Sequence, residues 1–107
     1  MGRLADGCVA IFDDWASLGR LFLDLRMGDA PRFRGFFREI RAEFAAALRE
    51  GQESGEVALE VDPFLAGATL IGAIDGLLIQ HFLDSKALDP EALRVELRRI
   101  VDAVLAP

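Results

Sequence analysis

The stretch from Pro63 to Leu83 carries one carboxylate, Asp75, and no Glu, Lys or Arg. Asp62 before Pro63 reads as an N-cap followed by the residue best tolerated at the first helical position, so a helix starts there. Just upstream, Gly51-Gln-Glu-Ser-Gly55 punctuates the exit of a preceding helix, where a left-handed residue commonly closes the last turn. The helix after Asp62 is apolar on nearly every side, and a helix without a solvated face must be covered all round. A chain of 107 residues builds a single core, and one small domain rarely wraps so long a helix unaided. This segment demands helical neighbours on several sides and points to a second copy of the chain as one of them.

The rest of the chain supplies the neighbours. From about Leu4 to Met27, residues Leu4, Cys8, Ile11, Trp15, Leu18, Phe22 and Leu25 fall on one stripe at helical spacing, with Asp6, Asp13, Ser17, Arg20 and Asp24 opposite. Gly28-Asp29 ends this first helix and Pro31 marks the next start. The second helix, about Arg32 to Gln52, buries Phe33, Phe36, Phe37, Ile40, Phe44, Ala47 and Leu48, and shows Arg34, Arg38 and Arg41 to solvent among glutamates. Val57, Leu59 and Val61 alternate as in a strand, but nothing else in the chain would pair with them, so an ordered loop is expected. Asp89-Pro90 repeats the capping device and opens a fourth helix to about Leu105. The short connection Ser85 to Leu88 folds the last two helices into an antiparallel hairpin.

On a helical wheel the third helix has three apolar sides. Phe64, Ala68, Ile71, Asp75, Leu78 and Phe82 line one, and Leu70, Ile74, Leu77 and His81 a second. Leu65, Thr69, Gly72, Gly76, Ile79 and Leu83 line the third, where the glycines remove side-chain bulk. Two glycines inside a helix cost about 1 kcal/mol each relative to alanine, so close packing is the natural compensation. The expected fold is therefore all-α: a single four-helix domain over residues 1–107 whose terminal hairpin dimerises across a two-fold axis into an intersubunit four-helix bundle. The interface is assigned to Leu70, Ile74, Leu77 and His81 together with Leu93, Leu97, Ile100, Val101 and Val104.

Composition narrows the function. A net charge of -6 and a pI near 4.7 oppose unaided binding to nucleic acid. The one cysteine, Cys8, cannot form an intramolecular disulfide and fits a reducing cytoplasm. Asp6 interrupts the N-terminal residues too early for a secretory apolar region. Pro63 to Leu83 is long enough to cross a bilayer, but Asp75 sits inside it and no Trp or Tyr belt or basic flank marks its ends, so no membrane span is expected. There is no phosphate-binding glycine loop, no nucleophile elbow and no metal-spaced Cys/His set, so neither catalysis, a cofactor nor a metal is expected.

Several passages in fixed order resemble one family. Arg20-Leu-Phe-Leu-Asp24 followed by Asp29-Ala-Pro31, then Gly51-Gln-Glu-Ser-Gly55-Glu56, Asp62-Pro63 with Asp75-Gly76-Leu77, and Asp89-Pro90-Glu91 resemble the C-terminal half of the TetR/AcrR family of bacterial transcription regulators, nearest to its BetI-like C-terminal domains. The likeness spans about Trp15 to Leu105. It implies that the last two helices form a dimer interface and that the preceding ones enclose an effector pocket. In that family a separate N-terminal helix-turn-helix domain binds operator DNA and is released by effector. Nothing in the present residues resembles a recognition helix, so the likeness implies sensing and dimerising without direct DNA binding by them. The competing expectation is a free-standing interaction module that pairs with itself or with full-length TetR-like paralogues.

Phe12, Trp15, Phe22, Phe36, Phe37 and Phe44 cluster on the first two helices, as a filled core or as the walls of a cavity. For a small apolar effector the expected lining is Trp15, Phe22, Phe37, Phe44, Ile71 and Leu78, with Asp75 as the polar member. An ionised carboxylate among these side chains needs a partner: an arginine of this chain or of its twin, or a polar group in the pocket. His81 reads as a packed or interface histidine with one hydrogen bond, or as a ligand contact. Cys8 reads as a small core residue.

Overall fold

In the computed structural model, which describes residues 2–28 and 30–107, five helices form: α1 (Arg3–Ala16), α2 (Arg20–Gly28), α3 (Ala30–Ser54), α4 (Pro63–Leu83) and α5 (Pro90–Leu105). The fold is all-helical, as the periodicity implies, but the stripe from Leu4 to Met27 is two helices, not one. After Ala16 the chain tightens into i→i+3 bonds, Leu18 N–H to the Trp15 carbonyl at 3.1 Å and Gly19 N–H to the Ala16 carbonyl at 3.1 Å. Gly19 then takes φ 58°, a conformation that ends a helix and that glycine adopts without strain. Asp29, placed at the helix end by the sequence, lies outside the described residues.

α3 closes as its glycines suggest. Gly55 stands at φ 86°, the Glu56 N–H reaches the Gly51 carbonyl at 2.8 Å, and the Gly55 N–H reaches the Gln52 carbonyl at 3.3 Å. This is the paired bonding of a Schellman motif. The loop after it is ordered and contains no strand. The Gln52 amide donates to the carbonyls of Ala58 at 3.0 Å and Val61 at 2.8 Å, and the Ala58 N–H donates to the Leu105 carbonyl at 2.9 Å. Both Asp-Pro caps form: Asp62 accepts from the Phe64 and Leu65 N–H groups, and Asp89 from that of Ala92.

α4 is the centre of the fold and touches each of the other four helices. Leu70, Ile74 and Leu78 are fully buried against Phe12, Phe22, Leu48 and Leu97. α3 crosses α4 closely at Gly67, where a β-carbon would stand 3.0 Å from that of Phe44. On the other side α1 packs along α5, and the ion pairs Arg94–Asp13 at 2.7 Å and Arg98–Asp6 flank that contact. Exposed pairs of this kind contribute about 0–1 kcal/mol each, so apolar burial holds the layers together.

The molecule measures 38 × 32 × 17 Å. Packed helix axes lie about 8–10 Å apart and Cα atoms about 2.3 Å from each axis, so the thinnest direction holds two helix layers and no third. α4 is thus covered on its inner side only. Leu65, Thr69, Gly72 and Leu83 remain exposed along the outer one, with Leu65 at 59% and Leu83 at 68%.

Gly51, buried inside the last turns of α3, is expected to be the least replaceable glycine. A β-carbon there would lie 2.5 Å from Val57 Cγ2 and 3.2 Å from Leu4 Cδ1. Gly51→Ala should cost about 1–3 kcal/mol through overpacking, read as a lower urea midpoint at unchanged slope.

Candidate functional site

The aromatic side chains gathered by α1, α2 and α3 do not surround an empty volume. They close around the guanidinium of Arg26. Its Cζ lies 4.5 Å from the centroid of Phe22, 5.1 Å from Trp15, 5.2 Å from Phe33 and from Phe36, and 5.6 Å from Phe37. At one edge of this box stands Asp75 of α4, whose oxygens accept from Arg26 Nε at 3.3 and 3.4 Å and from Nη2 at 3.3 Å. Both side chains are nearly sealed, 8% exposed for Arg26 and 12% for Asp75. Of the two partners foreseen for Asp75 within the protein, the structure shows the arginine of its own chain.

Burial raises the Asp75 carboxyl above its ordinary value, and the Arg26 hydrogen bond and charge offset this only in part. The folded chain therefore holds a proton at Asp75 more tightly than the unfolded chain does. Ionised Asp75 accordingly subtracts from stability above the raised value, and this penalty vanishes below the ordinary carboxylate range. A buried pair of this kind is weak evidence for stability.

Sequence periodicity missed Arg26 for an identifiable reason. The break at Ser17–Gly19 resets the helical phase, so α2 turns Phe22, Leu23 and Arg26 inward and leaves Leu18 40% exposed. Phe22, Ile71 and Leu78 of the expected ligand lining are core residues, at 0%, 3% and 0% exposure.

A different opening lies beside the box. α1 and α3 both rest on α4, and between them runs a groove of about 210 Å³ lined by Leu4, Cys8, Ile11, Phe44, Ala47, Leu48 and Leu70, with Arg3, Gly7 and Glu43 completing its lining. Of the expected lining only Phe44 borders it. Cys8, on its wall, is 5% exposed, and burial pushes its thiol up to about 11, so it serves as an apolar side chain and not as a thiolate. A second depression of about 410 Å³ lies between the start of α1 and the end of α5, bordered by Leu4, Ala5, Glu56, Val101 and Leu105. Among the described residues no group of three or more His, Cys, Asp or Glu side chains is placed to hold a metal.

The residues assigned to the dimer interface divide by burial within the protomer. Leu70, Ile74, Leu93, Leu97 and Val101 lie inside the protomer at 6% exposure or less, packed in the α1–α4–α5 core. Leu77, Ile100 and Val104 are half-buried against the same core. The half-buried His81 shares a 2.9 Å hydrogen bond between its Nδ1 and the Leu88 carbonyl, tying the end of α4 to the connection before α5. The open side of α4 is the glycine side. β-carbons built at Gly72 and Gly76 would meet nothing within 4 Å.

A family match covers residues 29–106, most of the chain: the C-terminal domain of BetI-type transcriptional repressors. The chain belongs to this family. Domains of this TetR-type class are regulatory rather than enzymatic, with a general role in ligand sensing and dimerisation. The matched stretch holds α3, α4 and α5, and so Asp75, while Arg26 precedes it. Neither the curated proteins nor the solved structures gave a significant match. α4 is long and apolar enough by length and composition to cross a bilayer, but its inner side is core of this domain and its one carboxylate is paired there.

Breaking the buried pair from one side should be far worse than removing it whole. Arg26→Ala is expected to cost about 3–5 kcal/mol by leaving Asp75 unpaired, whereas Arg26→Met with Asp75→Leu should be neutral or stabilising. Chemical denaturation of the three proteins checks this; a double variant as weak as the single one contradicts it.

Proposed function

We propose that this repressor domain senses a small apolar effector in the α1/α3 groove and self-associates through the outer face of α4, acting in the cytoplasm. One observation carries the reading: α4 floors the groove with Leu70 on one side and presents the Leu65/Thr69/Gly72/Gly76/Leu83 stripe on another. The groove is apolar, and at about 210 Å³ it is smaller than sites for drug-sized molecules. A compact hydrocarbon-like ligand suits it better than a large one. A ligand that prefers one spacing of α1 and α3 biases the conformation of the helix they share, which is linkage in its simplest form. The same α4 stripe also supports the second reading, an interaction module without an effector that pairs with itself or with full-length paralogues.

One measurement separates these readings, and a second tests the interface they share. Small apolar compounds at 100 times their Kd should raise stability by about 2.7 kcal/mol, seen as a higher thermal midpoint. Ala47→Phe, which fills the groove, should abolish that rise. A flat response across a broad panel, with dimerisation retained, would leave the interaction module. For the interface, sedimentation should give a dimer. Gly76→Leu should shift it to monomer without loss of helicity, because a β-carbon there meets nothing within 4 Å inside the protomer. A wild-type chain that is monomeric at micromolar concentration overturns the α4 interface.

A further inference from the structure

The Arg26 box is not explained by the groove, the dimer face or the needs of a small core. Five aromatic rings converge on one cation, and a carboxylate closes the edge. Core packing alone needs neither charge, and a buried pair is commonly no better than apolar residues of the same volume. Its geometry is also unfinished. All three Arg26–Asp75 hydrogen bonds measure 3.3–3.4 Å, where charge-assisted bonds settle near 2.7–2.9 Å. Arg26 is held back by its own backbone, on a nine-residue helix entered through the left-handed Gly19. An untethered cation of the same shape has no such restraint.

We propose that the box is a second ligand site, for a small molecule bearing a guanidinium or amidinium group, and that Arg26 is the internal occupant which this ligand displaces. The occupant shows the chemistry the walls accept. A planar cation offers its faces to Phe22 and Trp15 and its N–H edge to Asp75. A quaternary ammonium has a face for the rings but no donor for the carboxylate, and a compact ammonium has donors but no planar face. Charge balances on exchange: the ligand cation takes the place of the guanidinium beside Asp75, and Arg26 goes to water with its charge intact. The box shares no residue with the α1/α3 groove, so the two sites are independent in composition. Asp75 directly precedes Gly76, so occupancy is reported to the helix that carries the outer stripe.

Trp15 is the only tryptophan in the chain and forms one wall, so its emission reads the box directly. Ethylguanidinium at millimolar concentration should give a saturable Trp15 change in the wild-type protein. Ethylammonium and tetramethylammonium at equal ionic strength should not. Arg26→Met, which keeps the aliphatic bulk but removes the competing cation, should bind ethylguanidinium about tenfold or more tightly than wild type, since the competent fraction no longer limits affinity. Adding Asp75→Asn should abolish that gain, and the groove-filling Ala47→Phe should leave the titration unchanged. The proposal is overturned by an unsaturable or absent response in the wild type, by equal responses to the two control cations, or by equal affinity in wild type and Arg26→Met. If Arg26→Met does not fold, the wild-type titration and its controls decide the question alone. A failed apolar-ligand screen with a positive ethylguanidinium titration sinks the groove and spares the box; the converse does the opposite.

Discussion

Everything in this fold is arranged around the requirement that α4 be covered. Its one ionisable carboxylate and its apolar circumference leave water a poor neighbour on any side, so each other helix is recruited as a wall. The walls differ in how they approach. At Gly67 the absence of a side chain lets α3 come within ordinary contact of the α4 backbone, which buries Phe44 and Leu48 over a long crossing. α1 reaches α4 less intimately because it also packs along α5. The space left between α1 and α3 is the groove, so the opening follows from how two helices share one support. The molecule is 17 Å thick, two helix layers, and among the described residues nothing covers the Gly72/Gly76 side.

The single polar interruption of α4 follows a second logic. Asp75 and Arg26 together could have been apolar residues at no evident loss to packing, since the side chains around the pair are apolar. Its ionised form is disfavoured by burial, and three long hydrogen bonds from Arg26 return only part of that cost. What the pair does supply is one polar point of contact between α2 and α4, Arg26 of the one reaching Asp75 of the other. The aromatic rings surround the cation at that point, and a cation over several ring faces has a narrow range of favourable positions.

The sequence was informative where chemistry is local and much less so where it depends on phase. Asp62-Pro63 and Asp89-Pro90 mark helix starts by themselves, since the cap carboxylate and the fixed φ of proline act within one turn. Gly55 marks an end equally well. The interruption at Ser17–Gly19 carries no proline and only one glycine, and the apolar spacing continues across it by coincidence. Once that break is missed, Leu18 and Leu25 take the inward places that belong to Leu23 and Arg26, and the aromatic cluster looks like a hydrocarbon cavity. Which side of α4 the protomer leaves open was illegible for a related reason. Three apolar sides of α4 were visible on the wheel, but which of them the protomer covers depends on helix crossing angles, and nothing in the periodicity fixes those. Glycines with no space to fill, such as Gly67, and glycines with open space, such as Gly72, look alike in a string of letters.

The arrangement has a consequence for how signals could pass through a domain with no rigid connection between its sites. Groove, box and outer stripe have no side chain in common, yet α4 takes part in each: Leu70 in the groove, Asp75 in the box, Gly72 and Gly76 in the stripe. A helix of 21 residues bends only gently without a proline or π-bulge inside it, so displacement at one point is carried along it. A ligand in the proposed groove that changed the separation of α1 and α3 would therefore act on α4 as a whole. Small side chains on the outer stripe make that face sensitive to such a shift, since close helix packing loses its contacts over fractions of an ångström. Bulky interdigitated side chains there would tolerate more movement and transmit less. In the proposed α4 interface, the glycines would matter less for letting two chains approach than for making their approach conditional.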